Sequence, residues 1–134
     1  MSFDLFVGCF RNGETAQFPR SLVDGPFEAY VSRREPNCLT LSFANGGQSY
    51  VFREDSNEIS SFNVNRPAAA SELYVALFTI MRSATLALYM PGNCPPLIAR
   101  AEVAAHLPKS MVEKLGTPVV LQSPQEIETW IGRA

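Results

Sequence analysis

The sequence predicts an α+β fold: an antiparallel meander sheet in the N-terminal half, helices packed on one face of it and a closing C-terminal helix. Three stretches carry this prediction. Residues 39–53 alternate apolar and polar side chains around an Asn-Gly-Gly turn, the pattern of a β-hairpin. Residues 69–82 place apolar side chains on one helical stripe, and the Ser-Pro-Gln-Glu stretch at 123–126 is typical of a helix start.

The first half of the chain is predicted to consist mostly of strands. Residues 3–10 are apolar and rich in aromatic side chains, which favours a central strand, and the Asn-Gly dipeptide at 12–13 predicts a turn. A short helix over 20–24, with a proline just before it, is expected to stop at Gly25-Pro26. The next predicted elements are a brief strand at 30–34, the hairpin, an acidic loop at 54–58 and a strand over 59–64.

The second half is predicted to be mainly helical. The apolar stretch 73–90 changes from helical spacing to a strand-like run, so it predicts a helix and then a buried strand rather than a membrane span. For the closing helix, we expect Ser123 to act as the cap and Glu126 to close a capping box. The elements between are a proline-rich loop at 91–96, short helices at 101–107 and 110–115, and a strand at 118–121.

Composition narrows the possible classes of function. With 134 residues, 46% of them hydrophobic and 18% charged, the chain is predicted to form a single domain over 1–134. A net charge of −2 and only two lysines, Lys109 and Lys114, argue against nucleic acid as a partner. The opening residues lack a secretion signal and the three cysteines are dispersed, so we expect reduced thiols, a cytoplasmic location and no membrane attachment.

Side chains that commonly carry catalysis are few. His106 is the single histidine, and Glu102 lies one helical turn earlier, where it could orient the ring. Cys94 lies in a proline-rich loop, so we expect it to be the most exposed thiol, whereas Cys9 and Cys38 have the pattern of core or strand-edge residues. We therefore expect no catalytic, metal-binding or cofactor-binding residue and no cofactor.

Charged residues of the first half are the candidate contacts for a protein partner. The acidic loop offers carboxylates, and an aromatic and a basic side chain are expected beside it. The predicted partner-binding residues are Glu54, Asp55, Glu58, Tyr30 and Arg33.

Two further expectations concern packing. Most of the aromatic residues, a group that includes Phe6, Phe52 and Tyr89, fall on core positions of the predicted elements. Few basic residues interleave with the aromatic residues, so we expect core packing and not a stacking surface for nucleic-acid bases. Arg66 precedes Pro67, and a residue before proline favours extended backbone. We therefore expect Arg66 to be held extended, with its guanidinium in a structural role.

Three segments resemble a group of small, uncharacterised bacterial cytoplasmic proteins. They are the opening Met-Ser-Phe-Asp-Leu-Phe-Val at 1–7, the Arg-Pro entry into an aromatic-bearing helix at 66–67 and the Ala-His-Leu-Pro segment at 105–108. In size and mild acidity the chain is similar in build to immunity proteins that neutralise bacterial toxins. The resemblance implies contact with a protein partner and carries over no catalytic residue.

The leading hypothesis is therefore a non-catalytic cytoplasmic binding protein, most concretely an immunity-type inhibitor that occludes a bacterial toxin by protein–protein contact. Two alternatives stay open. One is a small cytosolic hydrolase or transferase that uses Cys94 or His106, and the other is a structural module that associates with copies of itself. The oligomeric state, the identity of the partner and any small-molecule binding are left open.

Overall fold

The first strand runs through the middle of the sheet, as its apolar sequence predicts. The computed structural model describes residues 4–90 and 94–132. Its strands are β1 (Asp4–Arg11), β2 (Glu14–Thr15), β3 (Phe18–Pro19), β4 (Val31–Glu35), β5 (Cys38–Ser42), β6 (Gln48–Phe52), β7 (Glu58–Ile59), β8 (Ser61–Asn65), β9 (Leu86–Tyr89), β10 (Leu97–Ile98) and β11 (Val119–Val120). Its α-helices are α1 (Ser21–Phe27), α2 (Ser71–Arg82), α3 (Lys109–Leu115) and α4 (Pro124–Ile131), and 3₁₀-helices span Glu28–Tyr30 and Ala101–His106.

Antiparallel pairing organises most of the sheet, so the fold is α+β as predicted. The strand order is β11-β10-β9-β1-β8-β6-β5-β4, with β2 paired to β1. Strands β4, β5, β6 and β8 form the predicted meander, while β10 pairs with β11 in parallel. In this register Asp4 lies opposite Asn65, and Phe6 lies between Asn63 on one side and Tyr89 on the other.

Helices α1, α2 and α4 pack on one face of the sheet and form the larger apolar cluster with it. Leu5 and Val7 of β1 are fully buried there together with Leu77 and Ile80 of α2. Burying each side chain of this size stabilises the fold by about 1.5–3 kcal/mol. A smaller cluster around Phe10 lies on the opposite face, beneath the segment 101–115, and adds a second helical layer to the one predicted.

Helix α1 corrects a predicted boundary. The sequence predicts a stop at Gly25-Pro26, but the helix includes both residues and ends at Phe27. Val23 and Phe27, four residues apart on this helix, are both fully buried. Core packing of these two side chains therefore outweighs the helical hydrogen bond that is lost at the proline.

The predicted strand over 59–64 is two strands. Strand β7 pairs with β3 in a separate two-stranded sheet, while β8 joins the main sheet. Pro19 consequently belongs to β3 and not to the first turn of α1. Strand β10 follows the proline-rich loop and is too short to give a periodic signal. Phe3 of the predicted first strand and residues 91–93 of the predicted loop lie outside the described residues.

The start of α4 differs from the predicted capping box. Ser123 is the N-cap residue, but its side chain makes no capping hydrogen bond. Glu126 Oε1 instead accepts a hydrogen bond from the backbone N–H of Gln122, one residue earlier, at 2.8 Å. The glutamate still satisfies a backbone donor that precedes the helix, so the device is related although its partner is different.

Arg66 does not adopt the extended backbone that Pro67 predicts. Its φ is 54°, in the left-handed region. The hydroxyl of Ser49 explains this conformation, because it donates to the carbonyl of Arg66 at 2.9 Å and accepts from the N–H of Ala68 at 2.8 Å. Since Ser49 is fully buried, these two bonds fix the turn between β8 and α2.

Candidate binding face

The sheet face opposite α1, α2 and α4 is only partly covered. Every second residue of each strand points to it, because side chains alternate along a strand. The segment 101–115 covers the end of this face near β9 and β10, whereas the residues of its middle are half-buried or exposed. We call these middle residues the open face: Asp4, Phe6, Tyr50, Phe52, Asn63, Asn65 and Tyr89.

A carboxylate holds two amide side chains at the centre of the open face. Asn63 Nδ2 donates to Asp4 Oδ2 at 3.1 Å, and Asn65 Nδ2 donates to Asp4 Oδ1 at 2.6 Å. Because both amides turn their NH₂ groups toward Asp4, their carbonyl oxygens remain as hydrogen-bond acceptors on the face. These polar groups are therefore held in one geometry before any partner binds, which lowers the entropic cost of binding.

Four aromatic side chains surround this polar centre. The rings of Phe6 and Tyr89 stack, with centroids 5.7 Å apart and an interplanar angle of 18°. On the other side of Asn63, Phe52 is 42% exposed, and Tyr50 of the same strand is half-buried. Burial raises the pKa of the Tyr89 hydroxyl above its usual range, so the Tyr89 side chain at this edge of the open face is uncharged at neutral pH.

Core packing, predicted for most of the aromatic residues, does not extend to these four. Phe6 is half-buried, Phe52 is exposed, and both alternate with fully buried strand residues, Leu5 and Val7 in β1 and Val51 in β6. The sequence does contain this signal, because alternate residues of a strand lie on opposite faces of the sheet. If one set of alternate residues is buried, the aromatic residues of the other set must lie on the opposite face.

Gly8 brings the backbone of β1 close to two aromatic rings. A Cβ at this position would lie 3.0 Å from Cζ of Phe10 and 3.6 Å from Cε1 of Tyr89. The first distance is shorter than a relaxed carbon–carbon contact, so a side chain here would displace the Phe10 ring. Glycine thus allows the aromatic end of the open face to close over the strand.

A pocket of about 550 Å³ adjoins the open face at the end of β6. The Phe52 ring is its exposed apolar element, and Asn63 connects it to the polar centre. Its lining consists of Asn37, Phe52, Arg53, Glu54, Asp55, Ser61, Phe62 and Asn63.

Two of the predicted partner-binding residues, Glu54 and Asp55, line this pocket. Asp55 Oδ1 lies 2.9 Å from Arg20 Nη1, whereas Glu54 has no ion-pair partner within the described part of the chain. Arg33 lies on the edge strand β4, with its Nε 3.0 Å from Glu35 Oε1, so its charge is locally paired. The pocket therefore offers one unpaired charge, the carboxylate of Glu54.

The other two predicted partner-binding residues lie in different surroundings. Tyr30 packs against Phe43 of the larger cluster, with ring centroids 5.4 Å apart. Glu58 lies in the small β3–β7 sheet, opposite Pro19. The structure thus brings Glu54 and Asp55 together beside the open face, while Tyr30 contributes to packing and Glu58 to a separate sheet.

Among the three thiols, Cys94 departs from the prediction. Cys94, expected to be the most exposed, is only 3% exposed and belongs to the larger apolar cluster. Cys9 is also buried, and Cys38 on β5 is half-buried. Burial, and next the negative charge of Glu35, raise the pKa of the Cys38 thiol, although nearby arginines lower it in part. A thiol with a raised pKa is a weak nucleophile at neutral pH.

His106 and Glu102, which one helical turn separates, do not pair with each other. Nδ1 of His106 accepts a hydrogen bond from the backbone N–H of Asn12 at 3.1 Å. The carboxylate of Glu102 lies 3.3 Å from Nη1 of Arg100 instead. The ring is therefore engaged in holding a turn of the backbone, and no carboxylate orients it within the described residues.

The most buried charge in the described chain, Arg53, was not singled out by the sequence. Its side chain is 3% exposed. Nε and Nη2 donate to the two carboxylate oxygens of Asp24 at 2.9 and 3.1 Å, and Nη1 donates to the carbonyl of Pro36 at 2.7 Å. The sequence feature that points to its burial is its spacing: Arg53 follows β6 two residues after the buried Val51, so the alternation of the strand places both side chains on the same face.

Residues 4–90 and 94–132 contain neither a cluster of metal-ligating side chains nor a membrane-spanning helix. No group of three or more histidine, cysteine, aspartate or glutamate side chains is arranged to hold a metal ion there. No helix in those residues combines the length and the apolar character that crossing a membrane requires. Comparison of the chain with protein-family models, with curated proteins and with solved structures gives no match.

Proposed function

We propose that this protein is a non-catalytic binding protein whose open face docks against a protein partner. In its most concrete form, it is a cytoplasmic, immunity-type inhibitor that occludes a bacterial toxin. The observation that carries the proposal is the composition of the open face: four aromatic side chains around one carboxylate and two fixed amides, on a sheet whose other face carries the larger apolar cluster.

This composition is the one that distinguishes the centre of protein interfaces from ordinary surface. Aromatic residues are enriched there and charged residues are depleted, while charges gather at the rim. On the open face Asp4 is the one charged residue, and the paired Arg33 and Glu35 lie at the edge strand. A standard interface buries roughly 800 Å² on each partner, which a face of several strands can supply.

The arrangement of the reactive groups also supports binding over catalysis. Cys94 is buried in the apolar cluster, and His106 Nδ1 is occupied by the N–H of Asn12. The enzyme alternative depends on these two groups, and a nucleophile needs both exposure and a nearby base. The thiols unpaired in the described residues, Cys9, Cys38 and Cys94, suit the reducing cytoplasm that the proposal assumes.

Site-specific photo-crosslinking in cells that naturally make the protein tests the proposal. The photo-reactive amino acid benzoylphenylalanine is placed at Tyr50 on the open face or, as the matched control, at Val75, which is 50% exposed on α2. We expect one discrete protein adduct from position 50 and none from position 75. The captured protein is then purified, and its binding to the Tyr50→Ala variant should be weaker by about tenfold or more.

Other crosslinking outcomes contradict the proposal. An adduct with a second copy of the chain contradicts the inhibitor and favours self-association. Equal labelling from both positions, or no adduct from either, contradicts docking through the open face. The toxin-directed form further requires that the captured protein has an activity which the wild-type chain suppresses and the Tyr50→Ala variant suppresses less.

A further inference from the structure

The sequence predictions name two acidic residues of the pocket at the end of β6, but they do not predict the pocket itself. We propose that it receives an arginine side chain of the protein partner, with the guanidinium lying over the Phe52 ring and paired with Glu54. This inference rests on the proposed function in one respect, that the partner is a protein. It deepens that function by stating the charge and the shape of the group that enters beside the open face.

The exposed ring supplies the first half of the site. Phe52 is 42% exposed, which is high for a phenylalanine in the strand of a sheet, and it forms a wall of the pocket. Guanidinium groups stack on aromatic faces through both cation–π attraction and dispersion. A contact of this kind removes the exposed ring from water and gives the cation a surface that tolerates its planar shape.

Hydrogen-bond acceptors supply the second half. Glu54 has no ion-pair partner within the described residues. Asn63 directs its NH₂ group to Asp4, which leaves its carbonyl oxygen free to accept. An arginine carries five N–H donors in a planar fork, so a carboxylate and an amide oxygen beside one ring can be satisfied together.

The basic residue of the pocket does not change this complementarity. Arg53 lines the pocket, but its Nε, Nη1 and Nη2 all donate to Asp24 and Pro36, and its side chain is 3% exposed. Arg20, at the acidic side of the pocket, is paired with Asp55. The charge left for a partner is therefore negative, which disfavours an acidic or phosphate-bearing group and favours a cation.

A titration with small peptides tests the pocket without knowledge of the partner. The probes are acetyl-Gly-Arg-Gly-amide and the same peptide with citrulline, the neutral isostere of arginine. They are added to the ¹⁵N-labelled full chain and followed by amide chemical shifts. We expect the arginine peptide to shift amides of Asn37, Glu54 and Asn63 in a saturable manner, and the citrulline peptide to leave them unchanged.

Matched variants assign the effect to its residues. Glu54→Gln and Glu58→Gln each remove one negative charge from an exposed glutamate of the segment between β6 and β8, but Glu58 belongs to β7 and lies outside the pocket lining. Glu54→Gln should weaken binding about threefold or more, while Glu58→Gln should leave it unchanged. Phe52→Leu keeps an apolar side chain but removes the ring, and it should weaken binding by about threefold.

Two results would overturn the proposal. One is saturable binding of the citrulline peptide with the affinity of the arginine peptide, and the other is an equal effect of the two glutamate substitutions. If these results appear while crosslinking from Tyr50 succeeds, the pocket chemistry is wrong and the protein-binding function stands. If the peptide binds as expected while crosslinking fails, the arginine site stands and the docking face is wrong.

Discussion

Nδ1 of His106 accepts a hydrogen bond from the backbone N–H of Asn12 at 3.1 Å, and the carbonyl of His106 accepts one from Gly13 at 3.0 Å. Asn12 and Gly13 have φ values of 53° and 83°, which is the left-handed pair of a tight hairpin turn. The single histidine of the chain therefore ties the β1–β2 turn to the 3₁₀-helix Ala101–His106. An imidazole nitrogen accepts in this way only while it carries no proton.

We expect His106→Leu to lower the free energy of unfolding by about 1 kcal/mol, the usual net value of one hydrogen bond. His106→Asn should lower it less, because the asparagine Oδ1 can occupy the position of Nδ1. The measurement is urea unfolding together with hydrogen exchange of the Asn12 amide. An unchanged exchange rate of the Asn12 amide in the leucine variant would show that His106 does not hold this turn.

The buried ion pair between Arg53 and Asp24 provides a larger effect. Asp24→Ala leaves the guanidinium of Arg53 buried without its carboxylate, so we expect a loss of about 3 kcal/mol in urea unfolding. The double variant Asp24→Ala/Arg53→Met removes both charges and should recover a large part of that loss. Additive losses in the two single variants and the double variant would show that the pair is not coupled.

Local patterns in the sequence predict the elements that depend on local forces. The hairpin over β5 and β6 and the helix α2 follow the predicted ranges closely. The spacing of apolar and polar residues specifies such elements wherever one side of the strand or helix is buried and the other is exposed to solvent. Where long-range contacts decide, the sequence pattern is misleading: Phe27 carries α1 through Gly25-Pro26, and Ser49 holds Arg66 in left-handed backbone.

The candidate site divides in the same way. The acidic residues Glu54 and Asp55 are visible in the sequence as a charged loop, and the structure places both in the pocket lining. To predict the open face, one needs to know which residues of each strand share a face and that β9, β1, β8 and β6 are neighbours in this order. The strand order depends on long-range contacts. Cys94 illustrates the same limit, because a proline-rich loop predicts exposure and only the tertiary packing shows that it is buried.

The same substitution is expected to have different effects at two glycines. At Gly8 a Cβ would meet the Phe10 ring at 3.0 Å, so we expect Gly8→Ala to cost about 1–2 kcal/mol through overpacking. At Gly25 an added carbon meets nothing within 4 Å apart from its chain neighbours, and alanine favours the helix by about 0.5–1 kcal/mol. Because Pro26 follows, however, a Cβ in helical backbone at this position is disfavoured, so we expect the two effects to offset and Gly25→Ala to change stability little. Thermal unfolding measures both variants, and equal losses at the two sites would contradict the close contact at Gly8.

Tyr74 predicts how stability changes at alkaline pH. Burial, and next the charge of Glu128, raise the pKa of this tyrosine from 10.0 to about 12. Because the pKa is higher in the folded state, its stabilising contribution is fully present below pH 10 and is lost as pH rises through about 12. The loss should amount to about 2 kcal/mol.

The variant Tyr74→Phe isolates this effect. It removes the hydrogen bond from the Tyr74 hydroxyl to the carbonyl of Ala68, which is 2.9 Å long, so we expect about 1 kcal/mol lower stability at pH 7. Above pH 10 its stability should fall less steeply than that of the wild type, although Tyr89 still contributes. Parallel slopes in urea unfolding between pH 9 and 11 would refute the assignment to Tyr74.

Removing either of two charges near Cys38 should change the reactivity of its thiol in opposite directions. Its pKa is raised by burial and by Glu35, and lowered by Arg53 and Arg33. Glu35→Gln should therefore increase the thiolate fraction and accelerate labelling by a disulfide reagent at pH 7.5 by about twofold, whereas Arg33→Gln should slow it. Cys9 and Cys94 are buried, so Cys38→Ser should abolish the early labelling phase and confirm which thiol reacts. If both charge variants change the rate in the same direction, local unfolding and not the charge of these residues controls the access of the reagent.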